Sequence, residues 1–268
     1  MIIDGHAHAA GRYSTVESIL DTTRNFQIGK VLLCTSPKNN LGLKEPPNLP
    51  FMKSPRSIYL LNRMLRMGYR SMKMQGDGNE YVRKLSQSLP DLVVPFLWVN
   101  PIDPSHLDHL EKNIQSCQPA GIKLHQAWDA FKIDGPEFAR LVEVTGAHKL
   151  PIFIHLYSRR ETYKLLRFTE CHRDAIFIIA HMLGLDIFQE KRTDLPNLFF
   201  DTSGSERVRG QDIMTALNLF GREHVIFGTD TPYARIEDQL AKIEQLNLSG
   251  ETKEHILGTN IQNLLHLQ

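Results

Sequence analysis

Cysteine is scarce in this chain: three in 268 residues, Cys34, Cys117 and Cys171, far apart and with no C-x-x-C pair. An odd, scattered set excludes a full disulfide framework, so the three are read as reduced and structural. Charge of one sign is lacking too. Lys plus Arg number 31 against 30 Asp plus Glu, and a net charge of +1 offers no broad field to nucleic acid or to an anionic membrane. No apolar run reaches the roughly 20 residues of a membrane span. The opening MIIDGHAHAAG has no basic stretch followed by an apolar one. Internal repeats and low-complexity tracts are also missing. These absences leave a cytoplasmic protein with a small-molecule substrate and with no nucleic-acid or membrane partner. A homodimer stays open, because an exposed apolar patch cannot be located from sequence.

What is present is a regular alternation. Short apolar, β-branched runs are separated by helical patterns, as expected for parallel strands buried on both faces. Eight such runs occur: Ile2 to Asp4, Lys30 to Thr35, Leu92 to Val99, Gly121 to His125, Pro151 to His155, Ala175 to His181, Leu198 to Thr202 and Val225 to Asp230. Eight strands, together with a length near the roughly 250 residues of a (β/α)8 TIM barrel, predict that α/β fold as a single domain over 1–268. Ser14 and Glu17 read as a capping box opening the first helix, and Gly29 as its end. Further helices are expected over Ser105 to Ser116, Pro136 to Ala147, Arg159 to Cys171, Gln211 to Phe220 and Ile236 to Leu246. Ile256 to Leu265 would close the chain.

One interval is too long for a βα unit. Between the second and third strands an insertion spans about 37–80. Its first part, PKNNLGLKEPPNLP, reads as loop, whereas Ile58, Leu61, Leu65 and Tyr69 keep helical spacing. Following a strand, it belongs on the C-terminal face, over the barrel mouth.

His6 and His8, at i and i+2, can point the same way. His155 ends the fifth run, His181 the sixth and Asp230 the eighth, so all five polar groups face one end of the barrel. Imidazole and carboxylate together suit a borderline divalent ion, Zn²⁺ first with Mn²⁺ and Fe²⁺ as alternatives, and three or four protein ligands leave room for water. Asp201 either caps a turn or supports a ligand histidine.

DGHAH at 4–8, GIKLH at 121–125, FIH at 153–155, AHMLG at 180–184, FGTDTPY at 227–233 and ILGTNIQNLLHL at 256–267 run nearly end to end through the chain. With these motifs it resembles the amidohydrolase superfamily, in its amidohydrolase-related branch of barrel hydrolases and decarboxylases. The resemblance implies that His6, His8, His155 and Asp230 hold a metal. It also implies that Asp230 moves protons as base and acid and that His181 orients or activates.

Lys123 and His125 share one strand face. In binuclear relatives a carboxylated lysine on this strand bridges two ions, which Lys123 could imitate with His155 and His181 on the second ion. With one ion, the favoured count, Lys123 instead supplies charge to a substrate carboxylate or oxyanion. Pairing with a buried acid is the third option. His125 is a pocket candidate.

Arg159, Arg160, Arg207, Arg209 and Arg235 follow strand ends and suggest an anionic substrate, although exposed loop arginines are usually solvated. Trp98 and Tyr233 would form an apolar wall or simply pack. The candidate set is thus Asp230, His181 and Lys123 for catalysis, with His125, Trp98, Arg159 and Tyr233 for substrate. The leading activity is hydrolysis of an amide, ester or lactone. The alternative is non-oxidative decarboxylation of an aromatic or unsaturated acid, and a barrel that binds without turnover is the third reading.

Overall fold

The computed structural model describes residues 1–36, 55–69, 78–191, 195–204 and 207–268. In chain order the first third comprises β1 (Ile2–His8), α1 (Val16–Phe26), β2 (Ile28–Cys34), α2 (Pro55–Tyr69), α3 (Gly78–Ser88) and β3 (Val93–Trp98). The middle holds α4 (Pro104–Cys117), β4 (Gly121–His125), the short α5 (Gln126–Asp129), α6 (Pro136–Ala147), β5 (Ile152–His155), α7 (Arg159–Cys171) and β6 (Phe177–Ile179). Then come α8 (Leu185–Lys191), β7 (Leu198–Asp201), α9 (Gly210–Phe220), β8 (Val225–Ile226), α10 (Ile236–Glu244), α11 (Gly250–Glu254) and α12 (Asn260–Leu264).

The eight strands pair in sequence order, each parallel to the last. The ring closes where Gly5 N–H donates to the Phe227 carbonyl at 2.9 Å and His8 N–H to that of Thr231 at 2.8 Å. This is the expected (β/α)8 barrel with its insertion after β2. Alternation along the strands separates two packing layers. Ile152 and Ile154 of β5 join Phe138, Leu165 and Phe177 in the layer between strands and helices. Phe153, between them, joins Leu32, Phe96 and Ile178 in another.

The bounds expected for β4, α6 and α7 are those observed. Several others shift. The first helix is capped by Thr15, whose side chain accepts from Ser18 N–H and whose own N–H donates to Ser18 Oγ, so the box is Thr15/Ser18 and not Ser14/Glu17. It ends at Gln27, which takes the left-handed conformation at φ 55°, and Gly29 already lies in β2. β1 runs on through His8, whereas β6 stops at Ile179 and β8 at Ile226, short of the expected His181 and Asp230. Both of those residues have positive φ, 55° for His181 and 61° for Asp230, a conformation that cannot continue a strand. The closing segment is a π turn over His255–Thr259 followed by α12.

In the insertion, 37–50 lies outside the described residues, but the helical spacing from Ile58 is realised as α2. Ile58 is buried and Leu61 partly so, while the side chains of Leu65 and Tyr69 are outside the described set. α3 was not legible beforehand. Among the described residues no helix is long and apolar enough to cross a membrane.

Candidate metal centre and substrate cavity

His6 and His8 lie on one face of β1 and are each fixed through Nδ1. The His6 ring donates Nδ1–H to Asp201 Oδ2 at 2.9 Å and has Ser203 Oγ at 3.0 Å. His8 donates Nδ1–H to the Thr35 carbonyl at 2.8 Å, with Cys34 Sγ at 3.3 Å. Fixing Nδ1 as donor leaves the Nε2 lone pair of each ring facing the cavity, as a metal-binding histidine requires. Asp230 Oδ1 lies 3.6 Å from His6 Nε2 and 3.4 Å from His8 Nε2.

Two imidazole nitrogens and a carboxylate oxygen converge here, a donor set suited to a divalent ion. The ligand atoms of this buried triad all fall within 4.8 Å of one another, so His6, His8 and Asp230 fit a divalent ion. Asp201 thus fills both roles open to it, holding the candidate ligand His6 through Oδ2 and capping the turn to Ser203 through Oδ1. It also accepts from the backbone N–H of His181 at 3.2 Å and of Ser203 at 3.0 Å, and from the Ser203 hydroxyl.

The backbone is shaped to deliver these groups. Asp230 N–H donates to the His6 carbonyl at 2.7 Å, which holds its left-handed conformation against β1. A Cβ on Gly228 would lie 2.4 Å from Asp201 Oδ1 and 2.7 Å from His6 Cβ, so only glycine lets the chain after β8 approach so closely. Asp4 braces the same junction, accepting from Thr229 N–H at 2.9 Å, Thr229 Oγ1 at 2.7 Å and the Tyr13 hydroxyl at 3.1 Å.

Electrostatics follow from burial and from this crowding. Asp230 is held well below the usual carboxylate range: burial would raise it, but His181, Arg207, His8 and His6 outweigh that. His181 is pushed down to about 3 by burial, assisted by Arg207 and His6 against Asp230, and is a neutral imidazole. Its Nδ1 meets the Ser203 carbonyl at 3.2 Å, so Nε2 is an acceptor, 3.2 Å from Arg207 Nη1 and 3.7 Å from Asp230 Oδ2. Burial lowers His125 and His155 well below the ordinary histidine value, and Lys123 below the ordinary lysine value.

His155 lines the same cavity but does not join the triad. Its Nε2 lies 3.2 Å from Asn62 Oδ1, on α2. Lys123, 2% exposed, donates to His6 Nε2 at 2.7 Å and sits 4.0 Å above the Phe153 ring. Among the described residues no carboxylate lies within 4.0 Å of it, so the paired-acid role is not what the structure places there.

The substrate candidates divide. Trp98, His125 and Tyr233 line the cavity, whereas Arg159 does not. Arg159, the first residue of α7, pairs instead with Asp186 and with Glu190 at 3.8 Å. The arginine that reaches the site is Arg207, whose Nη1 donates to Asp230 Oδ2 at 2.6 Å. Trp128, Asn62 and Ile58 also face the cavity and were not anticipated. The signal for Asn62 was present: it follows Ile58 by one helical turn, a polar residue on an apolar stripe.

The side walls are flat rings. Trp98 stacks on His125 at 5.7 Å with 12° between planes, and His125 on His155 at 4.0 Å with 21°. Trp98 is held by its indole N–H, which donates to Asp129 Oδ2 at 2.9 Å. The buried Nδ1 of His125 has no hydrogen-bond partner among the described residues. The cavity volume is about 90 Å³.

A parallel barrel whose C-terminal strand ends gather imidazoles and a carboxylate around one small cavity defines a class of enzyme built on a divalent-ion centre. The family model described as Amidohydrolase matches residues 3–267, and the chain belongs to that family. Solved structures resemble it over nearly its whole length. The 2,6-dihydroxybenzoate decarboxylase from Rhizobium superimposes with a TM-score of 0.70 at 14% identity, covering 99% of this chain and 98% of that one. The dihydroxybenzoic acid decarboxylase from Polaromonas, solved with manganese and the inhibitor 2-nitroresorcinol, gives 0.70 at 16%, covering 99% and 97%. The 4-oxalomesaconate hydratase from Rhodopseudomonas palustris gives 0.65 at 15%, covering 99% and 96%. At these identities the likeness is one of fold. No curated protein sequence matches significantly.

Proposed function

We propose that the protein is a metal-dependent enzyme that removes CO₂ from a small, planar, unsaturated carboxylic acid. The observation that carries this reading is the ring stack of Trp98, His125 and His155 beside the His6, His8 and Asp230 triad. Rings stacked along one wall offer an aromatic surface suited to contact with a flat π-system. This reverses the order expected from sequence, where hydrolysis led, because the shape of the walls enters only with the fold.

When bound, a divalent ion at the triad supplies Lewis acidity to substrate oxygens. Zn²⁺ is the first choice for the imidazole and carboxylate donors, with Mn²⁺ and Fe²⁺ as alternatives. Arg207 and the buried Lys123 supply positive charge for an anionic substrate. The bond between the unsaturated carbon and its carboxylate breaks, its electron pair stays on that carbon, and a proton drawn from solvent water takes the place of the departing CO₂. Asp230 and His181, both unprotonated at rest and 3.7 Å apart, are placed to relay that proton to the carbon.

Hydrolysis is the second reading. It is supported by the same Asp230 and His181 pair, which suits proton transfer from an attacking water to a leaving group, and by the family itself. The test is product chemistry. Protein loaded with Mn²⁺ or Zn²⁺ is given hydroxylated benzoic acids and unsaturated diacids, with CO₂ measured, and in parallel a panel of amides, esters and lactones. CO₂ release supports the first reading. Acyl cleavage without CO₂ replaces it with the second, and silence in both panels from fully loaded protein sinks both.

A further inference from the structure

The insertion helix α2 reaches into the barrel mouth with one polar side chain. Asn62 is fully buried, and its Nδ2 donates to the carbonyls of Leu156 at 3.0 Å and Tyr157 at 3.2 Å. A backbone carbonyl can only accept, so these two contacts fix which end of the amide is NH₂. Oδ1 is thereby left 3.2 Å from Nε2 of His155. An amide oxygen can only accept in turn, so that ring nitrogen carries the proton. In the neutral ring the lone pair then sits on Nδ1.

The same helix is tied down further along. Arg66 donates from Nη2 to the carbonyl of Gln126 at 2.7 Å and lies over the Tyr157 ring at 3.8 Å. α2 is thus fastened to the chain just beyond β4 and β5, and its Ile58 and Leu61 form part of the cavity wall.

We propose that Asn62 is a positioning residue through which the insertion sets the tautomer of His155, so that this histidine presents Nδ1, and not Nε2, to an ion or substrate. The inference rests on the cavity being the working site, but not on which bond is broken there. Its consequence is that the insertion is part of the active site. A chain lacking the Asn62 contact would keep the barrel and lose control of one of its imidazoles.

The experiment reads the ring directly. Full-length protein labelled with ¹⁵N-histidine is examined by long-range proton–nitrogen correlation, metal-free and loaded with Zn²⁺, with the His155 signals assigned by their loss in His155→Gln. The parent should show a protonated Nε2 and a bare or ligated Nδ1. Asn62→Leu removes the acceptor and should give mixed or reversed tautomers. Asn62→Asp keeps an oxygen facing the ring and should keep the parent tautomer, as should Asn62→Ser to a lesser degree. Asn62→Ala, which also removes the acceptor, carries the test if Asn62→Leu does not fold. The proposal is overturned if Nε2 of the parent is unprotonated or binds Zn²⁺, or if Asn62→Leu, or Asn62→Ala in its place, keeps the parent tautomer. Because no substrate is used, failure here is separable from failure of the proposed reaction.

Discussion

Replacing Asp201 by Asn exchanges one oxygen for an NH₂ group and should weaken metal binding without dismantling the barrel. Asp201 Oδ2 accepts from His6 Nδ1–H, from His181 N–H and from the Ser203 hydroxyl, while Oδ1 accepts from Ser203 N–H. An asparagine would turn its NH₂ toward the position with fewest donors, which is that of Oδ1. One buried N–H is then orphaned, at a cost of about 1–3 kcal/mol in folding stability. The bond to His6 survives but loses its charge assistance, and the ring becomes a poorer ligand at Nε2. Loss of such a partner weakens metal binding by about 10- to 100-fold, or ~1.4–2.8 kcal/mol.

The assay is a competitive titration of Mn²⁺ or Zn²⁺ against a chromophoric chelator, alongside denaturant unfolding of the metal-free protein. A pH series adds a sign. Burial alone would raise Asp201, but His6, His181 and Ser203 hold it down at about 2. A carboxylate whose folded pKa lies below its unfolded value of about 3.9 contributes stability that is present above pH ~4 and lost as pH falls toward the folded value. The variant should lack that acid limb. Metal affinity within twofold of the parent would refute the assignment of Asp201 as the residue that fixes His6.

Asp230→Asn, by contrast, should abolish turnover and reduce bound metal below a third of an equivalent while leaving the far-ultraviolet circular dichroism unchanged; retained metal would argue against Asp230 as a ligand. Gly228→Ala forces a Cβ to within 2.4 Å of Asp201 Oδ1 and 2.7 Å of His6 Cβ, so metal affinity should fall even though the new methyl touches no ligand atom. Unaltered affinity would mean that the junction yields freely. Asp129 is raised by burial to about 7, against the pull of the Trp98 hydrogen bond. Its folded pKa lies above its unfolded one, so stability should decline as pH rises from about 4 through the folded value and then level off. Trp98 and Trp128 are the chain's two tryptophans, so intrinsic fluorescence should titrate over the same range and Asp129→Asn should remove the transition; a variant that still titrates would point to another group.

Much of this architecture could be read from the chain alone. Apolar runs such as those of β4 and β5 alternate with capped, amphipathic helices, and that rhythm is a property of neighbouring residues. The placement of His6, His8, His155, His181 and Asp230 at one end follows from it, because a parallel barrel puts every C-terminal strand end on the same face. Local detail was less secure where two signals competed: Thr15 and Ser14 are both acceptable caps, and packing selected the former.

What the tertiary structure alone decided is the direction of each side chain and the company it keeps. Arg159 and Arg207 are equivalent in sequence terms, yet one pairs with Asp186 away from the cavity lining and the other with Asp230 in the cavity. His155 turns toward Asn62, 93 positions earlier in the chain, and the stack of Trp98, His125 and His155 draws on three strands. The physical reason is that periodicity is written in near neighbours, whereas hydrogen bonds and ring contacts at a site are made between residues whose separation only the closed barrel removes.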